Sequence, residues 1–216
     1  MTHLVLVRHG ETEWHADNRY AGVTDISLTA RGLRQASQLA SWAAGADLAA
    51  VWSSTLSRAQ LTASACTDAV GLPLTVDERL RELDFGAAEG MTSAEMEAQF
   101  PEALHAFRAD PVIDHLPGGE DPAKAADRFI SCLRDIADAY PDGRVLVVAH
   151  TTAIRLALCQ LLGVPLRDYR RVFPFVRNCA LTEIVLDQSN FAVLEFNRPM
   201  EAEGNWAVGA ETRSQL

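Results

Sequence analysis

No stretch of this chain is long or apolar enough to cross a bilayer, which takes about 20 residues; the first apolar run is only Leu4–Val7, with no basic segment before it. Cysteine is scarce. Cys66, Cys132, Cys159 and Cys179 lie far apart and form no CxxC pair, which argues against a zinc or disulfide framework and for small core residues in a reducing compartment. Basic residues are outnumbered, 19 Lys and Arg against 29 Asp and Glu, for a formal net charge of −10. A nucleic-acid surface requires the opposite balance. Internal repeats, low-complexity tracts and domain linkers are also lacking. These absences predict a soluble, cytoplasmic protein with no nucleic-acid or membrane partner. What is there suffices for one domain with a full core: 216 residues, 48% of them apolar. The expected division is a single domain over 1–198 and a polar tail over 199–216, where Trp206 is the one residue suited to docking.

Leu4-Val5-Leu6-Val7 reads as a strand buried on both faces, because its apolar residues do not alternate with polar ones. It runs directly into Arg8-His9-Gly10. Gly10 permits a sharp turn and keeps bulk away from whatever His9 faces. A polar loop, 13–27, follows. Thr29 is an N-cap with Leu28 and Leu33 placed as a hydrophobic staple, and Leu33, Ala36, Leu39 and Ala40 carry the helix to about Ala44, before Gly45. Leu48–Trp52 is a second strand. The next helix is expected to start with Ser54 or Thr55 as N-cap and to end before Gly71, which puts Arg58 against the positive end of its dipole. An anion bound there would offset both charges.

Residues 76–90 read as loop, with Glu82, Asp84 and Glu89 among apolar neighbours. Asp84 and Glu89 are expected to be ordinary solvated acids. Short helices are expected near Thr92–Gln99 and Pro101–Ala109. A turn at Pro117–Glu120 then leads to Asp121 as N-cap and Pro122 at the first helical position. Ala126, Phe129, Leu133, Ile136 and Tyr140 mark that helix's buried face. Arg144–Ala149 repeats the opening pattern, a buried strand ending in a histidine, His150, with an apolar helix beyond it. Leu181–Leu186 and Phe191–Phe196 read as a β-hairpin.

A lone histidine after a strand is usually structural. Two at matching positions, together with Arg8 and Arg58, fit phosphoryl transfer, since guanidinium groups match phosphate oxygens and a neutral imidazole is a competent nucleophile. Metal binding by His9 and His150 is the rival reading, but no HxH or HExxH spacing adds ligands, and the arginines would repel a cation.

Arg8-His9-Gly10-Glu11-Thr12, Ser54-Thr55-Leu56-Ser57-Arg58-Ala59, Glu82 and His150, in this order, resemble the histidine phosphatase superfamily, the phosphoglycerate-mutase-like enzymes. The resemblance extends over about Leu4 to Phe196 and includes Ser27-Leu28-Thr29, Pro117-Gly118-Gly119-Glu120 and Asn178-Cys179. It implies a three-layer α/β/α sandwich with a mostly parallel central sheet. It also implies that His9 is the phosphorylated nucleophile and Glu82 the proton donor. Arg8, Arg58 and His150 would hold the phosphoryl oxygens, with His15, Ala21 and Gly22 contacting substrate. No cofactor or metal is implied, and the partner is a small phosphorylated metabolite; homo-oligomerisation stays open.

Departures from the family pattern carry information. His15 stands where the family commonly has Asn, so any hydrogen bond it offers phosphate is expected to depend on pH. Thr151-Thr152 replaces a frequent Gly-Gly. Leu83-Asp84-Phe85-Gly86 and Ser93 stand where glycolytic mutases have Arg-His-Tyr-Gly and a lysine, and the segment from Glu82 to Gly118 is short for a mutase. A phosphatase is therefore expected, with a phosphoglycerate mutase-type phosphotransferase and a catalytically idle phospho-ligand-binding protein as alternatives. Trp14, Tyr20, Phe85, Phe173 and Phe175 are candidates for an apolar rim.

Overall fold

Six strands form one sheet in the order β3-β2-β4-β1-β5-β6, and the computed structural model describes residues 1–187 and 190–200. β1 (Thr2–Arg8), β2 (Ala50–Ser53), β3 (Leu74–Val76) and β4 (Arg144–Ala149) are parallel; β5 (Leu181–Leu186) and β6 (Phe191–Arg198) form an antiparallel hairpin on the far side of β1. The sheet is thus mostly parallel where the histidines emerge.

Leu4, Val5, Leu6 and Val7 are 0–1% exposed, each contributing roughly 1.5–3 kcal/mol of burial. Alternation divides them. Leu4 and Leu6 join a core with α5 (Pro122–Ala139) and α6 (Thr151–Leu161), whereas Val5 and Val7 join one with α1 (Ala30–Ala43) and α2 (Ser57–Val70). Helices on both faces make three layers. Two shorter helices, α3 (Ser93–Gln99) and α4 (Pro101–Ala109), cover the end of the first core, and a single turn, α7 (Tyr169–Val172), follows α6.

Local chemistry sets several boundaries. The Thr29 hydroxyl accepts from Gly32 N at 3.0 Å, and the Asp121 carboxylate accepts from Ala123 N at 2.8 Å with Pro122 at the first helical position. The expected staple does not form. Leu33 is 54% exposed, because Gly32, Ala36, Leu39, Ala40 and Ala43 already form the buried stripe of α1. Two short 3-10 turns, Glu78–Leu80 and Gly86–Ala88, lie within the region read as loop, and β3 precedes it and ends at its first residue, Val76. Tyr140 is only partly buried at the end of α5. Trp206 and the rest of 201–216 lie outside the described residues. Among the described residues no helix is long and apolar enough to cross a membrane.

Candidate active site

The register of β1 on β4 pairs Arg8 with Ala149, so the next residues, His9 and His150, emerge side by side with ring centroids 5.1 Å apart. His9 Nδ1 lies 2.7 Å from Gly10 O, and Arg58 Nε donates to His9 Nε2 at 3.2 Å. A carbonyl can only accept and a guanidinium can only donate, so the proton is on Nδ1 and Nε2 carries the lone pair. Burial, followed by the charges of Arg58, His150, Arg8 and His15, holds the His9 pKa well below the usual histidine value. Gly10 serves close approach more than turning: a Cβ there would lie 2.5 Å from Gly32 O, in the first turn of α1.

Arg58, fully buried, is the second residue of α2, and its Nη atoms donate to Thr24 O at 2.8 Å and Gly22 O at 2.5 Å. Among the described residues no carboxylate forms an ion pair with it. Burial lowers its pKa, but its positive charge is retained near neutral pH. The 22–24 loop that supplies these carbonyls is gathered by Glu89, whose carboxylate accepts from Gly22 N, Val23 N, Thr24 N and Phe85 N at 3.1–3.2 Å. Glu89 is therefore an internal clamp and not a solvated acid. Asp84, too, is engaged locally, accepting from Gly86 N at 2.8 Å. The N-cap of α2 is Leu56, without a side-chain cap, and neither Ser54 nor Thr55 fills that place. Asp25 does the work from the preceding loop, accepting from Ser57 N at 2.8 Å and Ser57 Oγ at 2.7 Å. The dipole of α2 is thus answered by Asp25 and needs no bound anion.

Ser54 instead meets His150, with Oγ 2.7 Å from Nε2, while His150 Nδ1 is buried without a hydrogen-bond partner. Ser54 Oγ also accepts from Leu56 N at 3.3 Å, and when it gives its own proton to Nε2, Nδ1 bears hydrogen and is a donor in waiting. Burial and Arg58 keep His150 neutral by lowering its pKa well below the usual value. Glu82 is buried at the start of α6: Oε1 accepts from Leu83 N and Ala153 N, and Oε2 from Thr152 N, all at 2.9 Å. Arg128 on α5 fixes the segment from behind, donating to the carbonyls of Arg79, Arg81 and Glu82 at 2.7–3.0 Å while paired with Glu120 at 2.7 Å.

Arg8 donates to Val176 O at 2.8 Å and to His15 Nε2 at 2.5 Å; Asn178 Nδ2 donates to His9 O at 2.8 Å and lies 3.3 Å from the same His15 nitrogen. His15 Nδ1 accepts from Thr12 N at 3.0 Å and lies 2.8 Å from Thr12 Oγ1, so both ring nitrogens face donors. Burial and the Arg8 charge push the His15 pKa down to about 3. His15 Nε2 faces cationic and amide donors, which disfavours protonation in the unliganded protein.

These groups surround a cleft of about 120 Å³. Arg8, His9, His15, Ala21, Glu82 and Thr151 line it, with Arg58 and His150 behind His9 and Gly22 joined to Arg58 through its carbonyl. Trp14, Tyr20, Phe85 and Phe175 form part of the wall, as the aromatic composition suggested. Phe173 does not; it is buried 5.0 Å from the Phe196 ring. The sequence reading overlooked Ser54 as a histidine partner, Arg128, and the arginines Arg155 and Arg170 in the cleft wall. Arg155 could have been noticed as a charge inside the apolar run of α6.

A family model described as histidine phosphatase superfamily (branch 1) matches residues 4–199. Phosphoserine phosphatase 1 of Hydrogenobacter thermophilus is 34% identical over 198 residues, 91% of this chain and 92% of that protein. Probable phosphoglycerate mutase GpmB of Salmonella choleraesuis is also 34% identical, over 194 residues and 88% of each chain. Among solved structures, mycobacterial glucosyl-3-phosphoglycerate phosphatase Rv2419c complexed with VO3 aligns with a TM-score of 0.82 at 27% identity, covering 91% of this chain and 99% of that one.

Proposed function

The chain belongs to branch 1 of the histidine phosphatase superfamily, and on that footing we propose that it is a phosphatase, hydrolysing a small phosphate monoester through phosphohistidine on His9. The observation that carries the reading is the His9 tautomer. Its Nδ1 proton is given to Gly10 O, and its Nε2 lone pair is free to attack once the ester's phosphoryl group comes between it and Arg58. As the Nε2–P bond forms, the P–O bond to the alcohol breaks, and Glu82 supplies the leaving oxygen's proton. Water then attacks phosphorus, Glu82 takes a proton back, and the P–N bond breaks to release phosphate and neutral His9. Arg8, Arg58 and the Nδ1–H of His150 stabilise charge on the transferring oxygens, so the scheme calls for no metal or cofactor.

Water as final acceptor is favoured over a second phosphoglycerate. Leu83-Asp84-Phe85-Gly86 adds no cation above the cleft, and Asp84 is folded into its own turn on Gly86 N. The mutase reading draws on the similarity to the protein named probable phosphoglycerate mutase, and it predicts isomerisation of a phosphoglycerate in place of phosphate release. The test is a base-quenched reaction with labelled phosphomonoester. Wild-type protein should carry acid-labile, base-stable phosphate, and His9→Ala should lose both label and turnover. Substantial phosphate release by a folded His9→Ala protein would end the proposal.

A further inference from the structure

We propose that Ser54 is a positioning residue for phosphoryl transfer: its hydroxyl, acting through His150, holds that ring as the neutral tautomer with hydrogen on Nδ1. His150 then offers the transferring group a hydrogen bond and keeps its proton. The transfer step rests on the phosphatase reading, whereas the tautomer does not. Ser54 follows β2, whose last residue, Ser53, pairs with Val148 of β4, and its N–H donates to Val148 O at 3.3 Å. The Ser53 hydroxyl donates to Ser54 O at 3.0 Å. The sheet register thus carries Ser54 to His150, 96 residues away, with both polar groups of its backbone already engaged.

Counting hydrogens decides the tautomer. Ser54 and His150 are both fully buried, and Ser54 Oγ bonds to Leu56 N at 3.3 Å and His150 Nε2 at 2.7 Å. Leu56 N is a donor, so among the described residues Nε2 is the one acceptor for the serine proton. With hydrogen on Nδ1, the pair leaves a single group unsatisfied, Nδ1–H itself. With hydrogen on Nε2, the serine proton and the Nδ1 lone pair are both stranded away from water. One unmade bond is less costly than two. A doubly protonated ring also strands the serine proton, and it adds a charge that burial, Arg58, Arg128 and Arg8 all oppose.

One short segment treats both rings alike. Arg58, in the turn after Ser54, donates from Nε to His9 Nε2 at 3.2 Å, as Ser54 donates to His150 Nε2. Both imidazoles therefore carry hydrogen on Nδ1. Their uses differ because their acceptors differ. His9 Nδ1–H is taken by Gly10 O at 2.7 Å, which leaves Nε2 as the reactive atom. His150 Nδ1–H has no partner, on a ring centred 5.1 Å from that of His9. A buried donor of this kind is satisfied by an anion at the nucleophile. Without the Ser54 hydroxyl either nitrogen of His150 could hold the hydrogen, and a lone pair on Nδ1 would repel the phosphoryl oxygens.

Ser54→Ala removes the donor with little change in volume, and Ser54→Thr restores a hydroxyl. Nitrogen-15 NMR of histidine-labelled protein near neutral pH, with the His150 signals identified through His150→Gln, should show hydrogen on Nδ1 in wild type and in Ser54→Thr. Ser54→Ala should populate the Nε2–H form. With p-nitrophenyl phosphate, single-turnover phosphorylation of His9 should slow roughly tenfold in Ser54→Ala. It should slow no further when Ser54→Ala is added to His150→Gln, because the serine acts through that ring. Hydrogen on Nε2 in wild type, an unchanged spectrum in Ser54→Ala, or equal slowing with and without His150 would each overturn the role of Ser54. Calorimetric affinities for vanadate give the same cycle without turnover. A wild-type protein that releases no phosphate from p-nitrophenyl phosphate would defeat the phosphatase reading alone, since the spectra still decide the tautomer.

Discussion

Replacing His15 with asparagine should make the protein less sensitive to acid, by an amount the structure sets. In the folded protein burial and Arg8 push the His15 pKa down to about 3, against 6.5 for an unperturbed histidine. Between these values the unfolded chain binds a proton at this position and the folded chain does not. The stability associated with neutral His15 is therefore fully present above about pH 6.5 and is lost as pH falls toward 3, at about 1.36 kcal/mol per pH unit. At pH 5 the loss is about 2 kcal/mol, and it depends on the unfolded pKa alone once the folded one lies well below 5. Asparagine cannot take up the proton. His9 and His150, also held neutral by burial, lose stability in the same direction in both proteins and cancel in the comparison. So does the pH-independent cost of losing the contacts to Arg8 and Thr12. Urea unfolding at 25 °C, followed by circular dichroism at pH 8 and pH 5, measures the difference. Wild type should lose about 2 kcal/mol more than His15→Asn, roughly 1 M in urea midpoint for an m-value near 2 kcal/mol/M. Parallel losses would refute the neutral, Arg8-facing imidazole.

Glu82→Gln should slow phosphorylation of His9 by roughly 10²–10⁴-fold with alkyl phosphates and only slightly with p-nitrophenyl phosphate, whose leaving group needs no proton; equal slowing in single-turnover measurements would remove Glu82 from the acid role. Gly22→Ala places a Cβ 2.5 Å from Leu83 O and against the Glu89 carboxylate, so it should displace the carbonyls that hold Arg58 and lower kcat/KM at least about tenfold. Unchanged kinetics in that variant would show that Arg58 does not depend on the loop.

What was legible in the sequence was what neighbours along the chain determine. Leu4–Val7 and Val145–Ala149 announce buried strands, and a register that pairs Arg8 with Ala149 then brings the two histidines together. Thr29 and Asp121 cap helices that begin next to them. What escaped depends on partners distant in sequence. Serine and threonine before α2 look like its cap, but Asp25, 32 residues before Ser57, satisfies that terminus and leaves Ser54 to His150. Glu89 reads as a solvated acid until the 22–24 loop is folded onto it from more than 60 residues away. Leu33 has helical spacing, but the stripe through Gly32 and Ala36 takes the core. β3 has only three residues, too few for alternation to reveal it. His15 was identified as a departure, but whether it donates or accepts depends on Arg8 and Asn178, and the latter comes from the far end of the chain.

Those distant partners have a common consequence for charge. In a chain with 29 acidic and 19 basic residues, an arginine could easily acquire a carboxylate, and Arg79, Arg128 and Arg144 do. Arg58 is instead oriented by the carbonyls of Gly22 and Thr24, while the carboxylate that organises those carbonyls, Glu89, binds the backbone amides of the same loop. Orientation and neutralisation are thereby separated. A carbonyl dipole fixes the guanidinium without cancelling its charge, and Glu89 acts through the loop without pairing with Arg58. In a buried site, where opposite charges attract far more strongly than in water, a direct Glu–Arg pair would oppose anion binding. Carbonyl anchoring leaves Arg58 as a fixed cation beside the His9 lone pair.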